Sequence, residues 1–414
     1  GKLHSGGQLY VQSREGKLTQ TGTLAAAGDV QLNAIRGIES SGHLLAGSDA
    51  NSQINREASL RLESQGDIRA SGSLLSKKDV DVSGRRVDIS GANVAASRAR
   101  LNAREGGAAL QHAAIDSKQL VINTGADIDA RQARVKAGRW DVAANNLFNQ
   151  QATWSQTGSG ESRFALTGRL DNSDGTIESR QLSFSAGALT NQRGSLLALD
   201  NAAQQWRVSG LLDNAGGELG SNGDLRLDAG SLDNQNGTVK TQAALVVHSS
   251  GAANNAGGNL LAGNALTLSA GGDVSNQSGT LSGGQLTLKA GHLDNTQGQV
   301  ISQGDLGLTA DRLDNQRGLI GAGKELDIHT RDWDNRSGTA QGETSLTAVA
   351  NAVNNDDGKL LSGQQLILNA AGRTSNRGGE ISGTVLTVSA DSLDNTQGKV
   401  IGQQTLELNA HQGL

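Results

Sequence analysis

The sequence predicts an all-β fold, a parallel β-helix (β-solenoid) of about 20 coils with about 20 to about 21 residues per coil. Three observations predict it: an alternating apolar trio with a period of about 21 residues, a sharp corner motif repeated through the second half, and glycine enrichment without a single proline. The 414 residues include 57 Gly and no Pro, Cys or Met. Hydrophobic residues make up 35% and aromatics 2% of the chain, thin for an ordinary core, so small side chains supplied once per repeat must fill the interior.

The trio apolar-x-apolar places its second apolar residue at Val11, Leu32, Leu62, Val82, Leu101, Ile122, Val142, Leu166, Phe184, Val208, Leu227 and Val247. It continues through Leu268, Leu288, Leu308, Ile328, Ala348, Leu368, Val388 and Leu408. From Leu268 every step has the same length as that from Leu268 to Leu288. Apolar residues two apart mark a half-buried strand, and this period is too short for two-helix repeats of roughly 33 to roughly 47 residues. The leucine-rich pattern of similar period is missing, which leaves the parallel β-helix.

From residue 170 a second signature appears, as in LDNTQGQVISQGDLGLTA from Leu293. Its third position is Asn in twelve copies, Asn172, Asn191, Asn214, Asn234, Asn255, Asn276, Asn295, Asn315, Asn335, Asn355, Asn376 and Asn395. Gly follows three residues later in each, including Gly175, Gly217, Gly237, Gly298, Gly318, Gly338 and Gly398. In one coil, Leu293 points inward, Asp294 outward, and Asn295 turns the corner because Asn tolerates left-handed backbone. Gly298 is expected at positive φ. Val300 opens the next face, and Leu306, Leu308 and Ala310 point inward from the third. Stacked Asn residues form an amide ladder, as in cross-β assemblies. Every strand is then paired on both sides, and a Pro anywhere would remove a ladder donor. Twenty coils spaced ~4.8 Å apart predict a rod-shaped molecule roughly 95 Å long.

Two regions follow: 1–146, with looser repeats, and 147–414, with regular LDNxxG repeats continuous with the first. A step of 30 between Leu32 and Leu62 assigns the polar run Gly47–Glu57 to a loop. Six of eight aromatics lie between Trp140 and Trp206, where the steps are irregular. These residues, with Trp140, Trp154 and Trp206 foremost, fill a seam between repeat subtypes or form an exposed platform for a sugar or a partner. Full burial of Trp154 and Trp206 excludes the platform.

Other signals resolve into the repeat. GLIGAGK at 318–324 has phosphate-loop spacing, but Glu325 stands where Ser or Thr is required, and the segment aligns with GTLSGGQ at Gly279. Acidic residues recur before the corner Asn, among them Asp294, Asp314 and Asp334, and read as solvated corner charges. Seven His without metal spacing and no Cys give no metal site. The uncharged stretch 241–272 has a period of two and reads as strands, with no membrane-spanning segment. The net charge of −5 gives no electrostatic attraction to nucleic acid. No cofactor and no catalytic residue are expected.

LDNxxG followed by L-x-L-x-A, iterated once per coil, resembles the haemagglutinin repeats of large bacterial two-partner-secretion exoproteins, the filamentous haemagglutinin adhesins and contact-dependent growth inhibition toxins. The resemblance implies a right-handed β-helix, secreted to the bacterial cell surface through an outer-membrane β-barrel partner and folding on emergence. Absence of Cys and Pro suits such threading. The expected function is a non-enzymatic structural stalk that presents an adhesive or toxin-delivery domain to neighbouring or host cells. Two alternatives stay open: an adhesin whose repeat surface itself binds a receptor or glycan, and a β-helix polysaccharide-degrading enzyme. The chain is expected to be a piece of a longer protein, and truncated coils at Gly1 and Leu414 predict end-to-end association.

Overall fold

The computed structural model describes residues 1–413. Among the described residues every regular element is a strand, and no helix is long and apolar enough to cross a membrane. The chain divides into two compact units, Gly1–Asp200 and Asn201–Leu414. Each is a parallel β-solenoid, and together they contain about 20 coils.

A coil has three faces. In the first unit the first face begins with Lys2–Ser5, Thr23–Ala26 and His43–Ala46, the second with Leu9–Ser13 and Val30–Ala34, and the third with Lys17–Gln20 and Gly37–Ser40. Each strand pairs in parallel with its counterpart one coil on, so equivalent residues stack. On the first face the inward stack runs Leu24, Leu44, Leu74, Val94, Ile115, Val135, Trp154, Ile177 and Leu196. Nearly all of them are fully buried, and each such side chain contributes roughly 1.5–3 kcal/mol of transfer free energy.

The second unit repeats the plan, with register shifts between Val208 and Leu211 and in the last pair of coils. Trp206, Leu227, Val247, Leu268, Leu288 and Leu308 stack on its second face, continuing through Ile328, Ala348, Leu368, Val388 and Leu408. Its third face stacks Leu212, Leu232, Ala253, Val274, Leu293, Leu313, Trp333, Val353, Thr374 and Leu393.

Two positions of the trio are corrected. Val142 stacks on Phe164, which stacks on Phe184, while Leu166 lies beside Ala144. Leu227 likewise stacks on Trp206, and Val208 on Ala229. The aromatic residue takes the central inward position in both coils because it has the larger surface to bury, and the aliphatic residue two places on falls nearer the corner.

The excess of residues between Leu32 and Leu62 leaves the coil at Gly47, whose φ is +76°, and returns before Leu60–Ser64. Asp49 Oδ1 braces this loop by accepting from the backbone N–H groups of Asn51 and Gln53, both at 2.9 Å. An antiparallel bridge from Ser48 to Ile54 closes its neck.

Candidate functional site

Chemistry can reside at three places: the corner ladder inside each unit, the aromatic seam, and outward grooves on the third face.

The corner is a four-residue turn. Asn295 C=O accepts from the Gly298 N–H at 3.0 Å, and the same closure joins Asn172 to Gly175, Asn234 to Gly237, Asn315 to Gly318 and Asn335 to Gly338. The Asn side chain points into the solenoid. Asn172, Asn214, Asn234, Asn295, Asn315 and Asn335 are fully buried, whereas Asn395 in the last coil is exposed. In the second unit each Asn Nδ2 donates to the Oδ1 of the next at 2.7 Å, in a run from Asn214 to Asn395. Further bonds go to carbonyls, such as Asn295 Nδ2 to Gly298 O at 3.3 Å and to Leu319 O at 3.2 Å. Thus a row of amides that would each be costly to bury alone is satisfied.

This geometry corrects the expected roles of Asn and Gly. Positive φ belongs to neither. It falls on the residue between them, two after Asn: Asp174, Asn236, Gln297, Arg317, Ser337 and Asp357 among others, with φ of 54° to 58°. Gly is required for space. A Cβ at Gly318 would lie 2.2 Å from Asn295 O and 2.5 Å from Asn315 Oδ1, and Gly175, Gly237, Gly298, Gly338 and Gly398 are equally confined. Gly217 makes the same turn, its N–H 2.9 Å from Asn214 O.

One ladder member escaped the motif. Asn149 donates to Asn172 Oδ1 at 2.8 Å, although Phe148 stands where Asp is usual and Ala152 where Gly is usual. The signal is the alignment of Leu147-Phe148-Asn149 with Leu-Asp-Asn. Before Asn149 the same turn encloses Ile89, Leu110 and Ala130, all fully buried.

The residue preceding the corner Asn braces the turn from outside. Asp294 Oδ1 accepts from Thr296 N–H at 3.0 Å and Asp334 Oδ1 from Arg336 N–H at 3.2 Å. Arg336 also pairs with Asp334 at 2.7 Å and Arg312 with Asp314 at 3.0 Å. Burial pushes Asp294 up, but hydrogen bonds from Gln277 and Thr296 outweigh it and hold the carboxyl below its usual value. These carboxylates are engaged in turns and ion pairs, and no group of three metal-ligating side chains occurs among the described residues.

The seam is interior. Trp140, Trp154 and Trp206 are at most 1% exposed, which overturns the platform. In the first unit Trp140, Trp154 and Phe164 pack with ring centroids 5.4 to 5.7 Å apart, in edge and tilted arrangements. This is a favourable aromatic cluster.

Two grooves open on third faces, each where one coil has short outward side chains. In the second unit Ala352 and Asn354 leave such a gap between Asp332 and Asp334 on one side and Arg373 and Arg377 on the other. Its charges are paired: both Arg side chains hold Asp394, at 3.2 and 2.6 Å. In the first unit residues 106–109, Gly-Gly-Ala-Ala, form the floor of a groove of roughly 700 Å³. Ala109 stacks between Asp88 and Asp129, and Phe148 follows Asp129. Sequence reasoning missed this groove because it is made by side chains that are short; the run EGGAALQ at 105–111 is its only trace.

Comparison with known proteins places this architecture. The family model for the haemagglutinin repeat matches residues 4–72, 185–278, 243–310, 306–378 and 346–412, well over half of the chain. Among curated proteins, "Toxin CdiA" of Yersinia pestis is 29% identical over 179 residues, covering 42% of this chain and 5% of that protein. The chain spans about a twentieth of the length of that relative. No solved structure matches the chain.

Proposed function

Because the chain belongs to the haemagglutinin-repeat family, we propose that it is a non-catalytic stalk segment of a secreted bacterial exoprotein, presenting an adhesive or toxin-delivery domain at the cell surface. The observation that carries this reading is the continuity of bonding within each unit. Strands of the interior coils pair with the coils before and after them, and in the second unit ten corner amides form one row. Such nearest-neighbour stacking resists extension and sets reach by coil number. The similarity to a named toxin supports delivery as the purpose of the reach, and family membership supports export through an outer-membrane β-barrel partner. The corner carboxylates, held by turn N–H groups and Arg, serve shape and solubility in this reading.

The test uses the exported exoprotein. Deleting residues 293–332 removes two whole coils and joins His292 to Trp333 in register. Export, folding and target-cell engagement are expected to survive, with reach reduced by about 10 Å. A deletion of ten residues from Leu293 breaks register and is expected to abolish folding of the second unit. If the in-register variant reaches the surface folded yet loses engagement of target cells, the segment acts by its surface chemistry and the stalk reading is wrong.

A further inference from the structure

The geometry points to the third-face groove of the first unit as a binding site for a neutral sugar chain. Four observations converge there.

The first is shape. Where neighbouring coils project Arg86 and Asp88 on one side and Asp127 and Asp129 on the other, the floor coil projects only Gly107 and Ala109. The flanking coils are two spacings apart, about 10 Å. Once their side chains are allowed for, the gap is a slot of pyranose thickness, and its volume of roughly 700 Å³ holds more than one ring.

The second is an aromatic ring at the groove's edge, one coil beyond Asp129. Phe148 is half-buried and lines the groove, while Arg169 from the following coil covers the ring at 5.8 Å from its centroid. A fixed, partly exposed phenyl ring presents a surface for the C–H face of a sugar.

The third is unspent hydrogen-bonding capacity. The side chains of Arg86 and Glu105 make no hydrogen bond or ion pair among the described residues. Asp127 accepts three bonds on Oδ1, from Asn145 Nδ2, Asn146 Nδ2 and Asn146 N–H, which leaves Oδ2 available. Hydroxyl groups, which both donate and accept, suit this mixture.

The fourth is charge. Arg131 is committed to Asp129 at 2.6 Å, so the free charges are one Arg against Glu105 and Asp127. A slot without excess positive charge favours a neutral chain over a sulfated or phosphorylated one. In the second-unit groove the aromatic residue, Trp333, is buried with 2% exposure, and the Arg side chains are already paired. This inference does not depend on the stalk reading, since a stalk with a sugar site and an independent adhesin would both carry it.

The 414-residue chain is titrated by saturation-transfer NMR with maltotetraose, cellotetraose and lacto-N-tetraose, and with a heparin-derived tetrasaccharide as the polyanionic counterpart. Saturable binding of a neutral tetrasaccharide is expected with Kd of about 1 mM or tighter. Ala109→Arg places a guanidinium between Asp88 and Asp129, fills the slot without altering the core, and is expected to weaken binding at least about tenfold. Phe148→Leu is expected to weaken it several-fold, with far-UV circular dichroism showing that the coils remain. The assignment is overturned if no neutral oligosaccharide binds, if A109R binds as well as the parent chain, or if the heparin fragment binds best.

Discussion

Gly318 and Arg317 stand side by side in one corner and are constrained by different physics. Arg317 carries the left-handed backbone, φ +56°, which costs a non-glycine residue about 1–2 kcal/mol. Gly318 has ordinary φ but no room for a methyl group, because the amide of Asn315 and the carbonyl of Asn295 occupy that space. The corner therefore selects Gly next to the strained position and accepts Asp, Arg, Asn, Ser or Gln in it. Gly318→Ala is expected to destabilise the second unit by about 2 kcal/mol or more, since the clash is with backbone. Arg317→Gly is expected to be neutral within about 1 kcal/mol, relief of strain being offset by the entropy of an unfolded glycine. Urea midpoints followed by emission of Trp333, one coil on, measure both. Should R317G prove the more damaging change, the assignment of space to one position and strain to the other is reversed.

At the level of the turn as an element, one backbone geometry serves two interiors. From Ile89 onward the turn is closed by the same i to i+3 hydrogen bond, first around apolar residues with Ala at its end and then around Asn with Gly. Asn149 is the junction: with Ala152 in place of Gly it makes a single amide bond, and its Oδ1 has no donor because Ala130 precedes it. Extending the ladder by one coil is therefore a test of the coupling. Ala130→Asn alone is expected to destabilise the first unit, because the Cβ of Ala133 crowds the new amide. Adding Ala133→Gly is expected to recover stability and to supply the donor that Asn149 lacks, with a coupling of about 1 kcal/mol or more in a double-mutant cycle read by denaturant midpoint. Additive single effects would mean that Asn and Gly do not select one another. The same element shows what the sequence makes legible. Inward positions announce themselves once per coil because one residue type recurs in a fixed frame, as Leu293 and Leu313 do. The strained residue shows no type preference, so no pattern marks it. Alternation alone cannot tell which of two apolar residues two places apart is central, so Phe164 and Trp206 are hidden behind Leu166 and Val208. The groove at residues 106–109 depends on side chains one coil away on either side, and a window along the chain does not bring these together.

Across the whole chain, acid stability is set by carboxylates distributed through both units. In the first unit burial pushes Asp88 and Asp129 up, but Ser90 and Arg69 in one case, and Arg131 and Gln111 in the other, leave each below the ordinary value of about 3.9. In the second, burial likewise opposes hydrogen bonds from Arg226 and Gln205 at Asp228 and from Gln277 and Thr296 at Asp294, and the bonds prevail. Asp394 is half-buried and is lowered chiefly by Thr396 and Arg377. A carboxyl whose folded pKa lies below its unfolded value binds protons more readily when unfolded. Its contribution is complete above the unfolded pKa and is lost as pH falls through the folded one. Stability against urea is thus expected to be flat from pH 7 to about 5 and to decline below about pH 4 in both units, by an amount limited by solvent screening at these part-exposed groups. The four Trp residues supply separate readouts, because Trp140 and Trp154 lie in the first unit, Trp206 and Trp333 in the second, and all are at most 2% exposed. In Trp140→Phe with Trp154→Phe the emission reports the second unit alone, and in Trp206→Phe with Trp333→Phe the first. Each unit should therefore show a red shift at lower urea as pH falls below 4. A midpoint that rises on acidification in either unit would mean that its carboxylates repel one another more than their turns and Arg partners hold them, and the braced-corner account would fail for that unit.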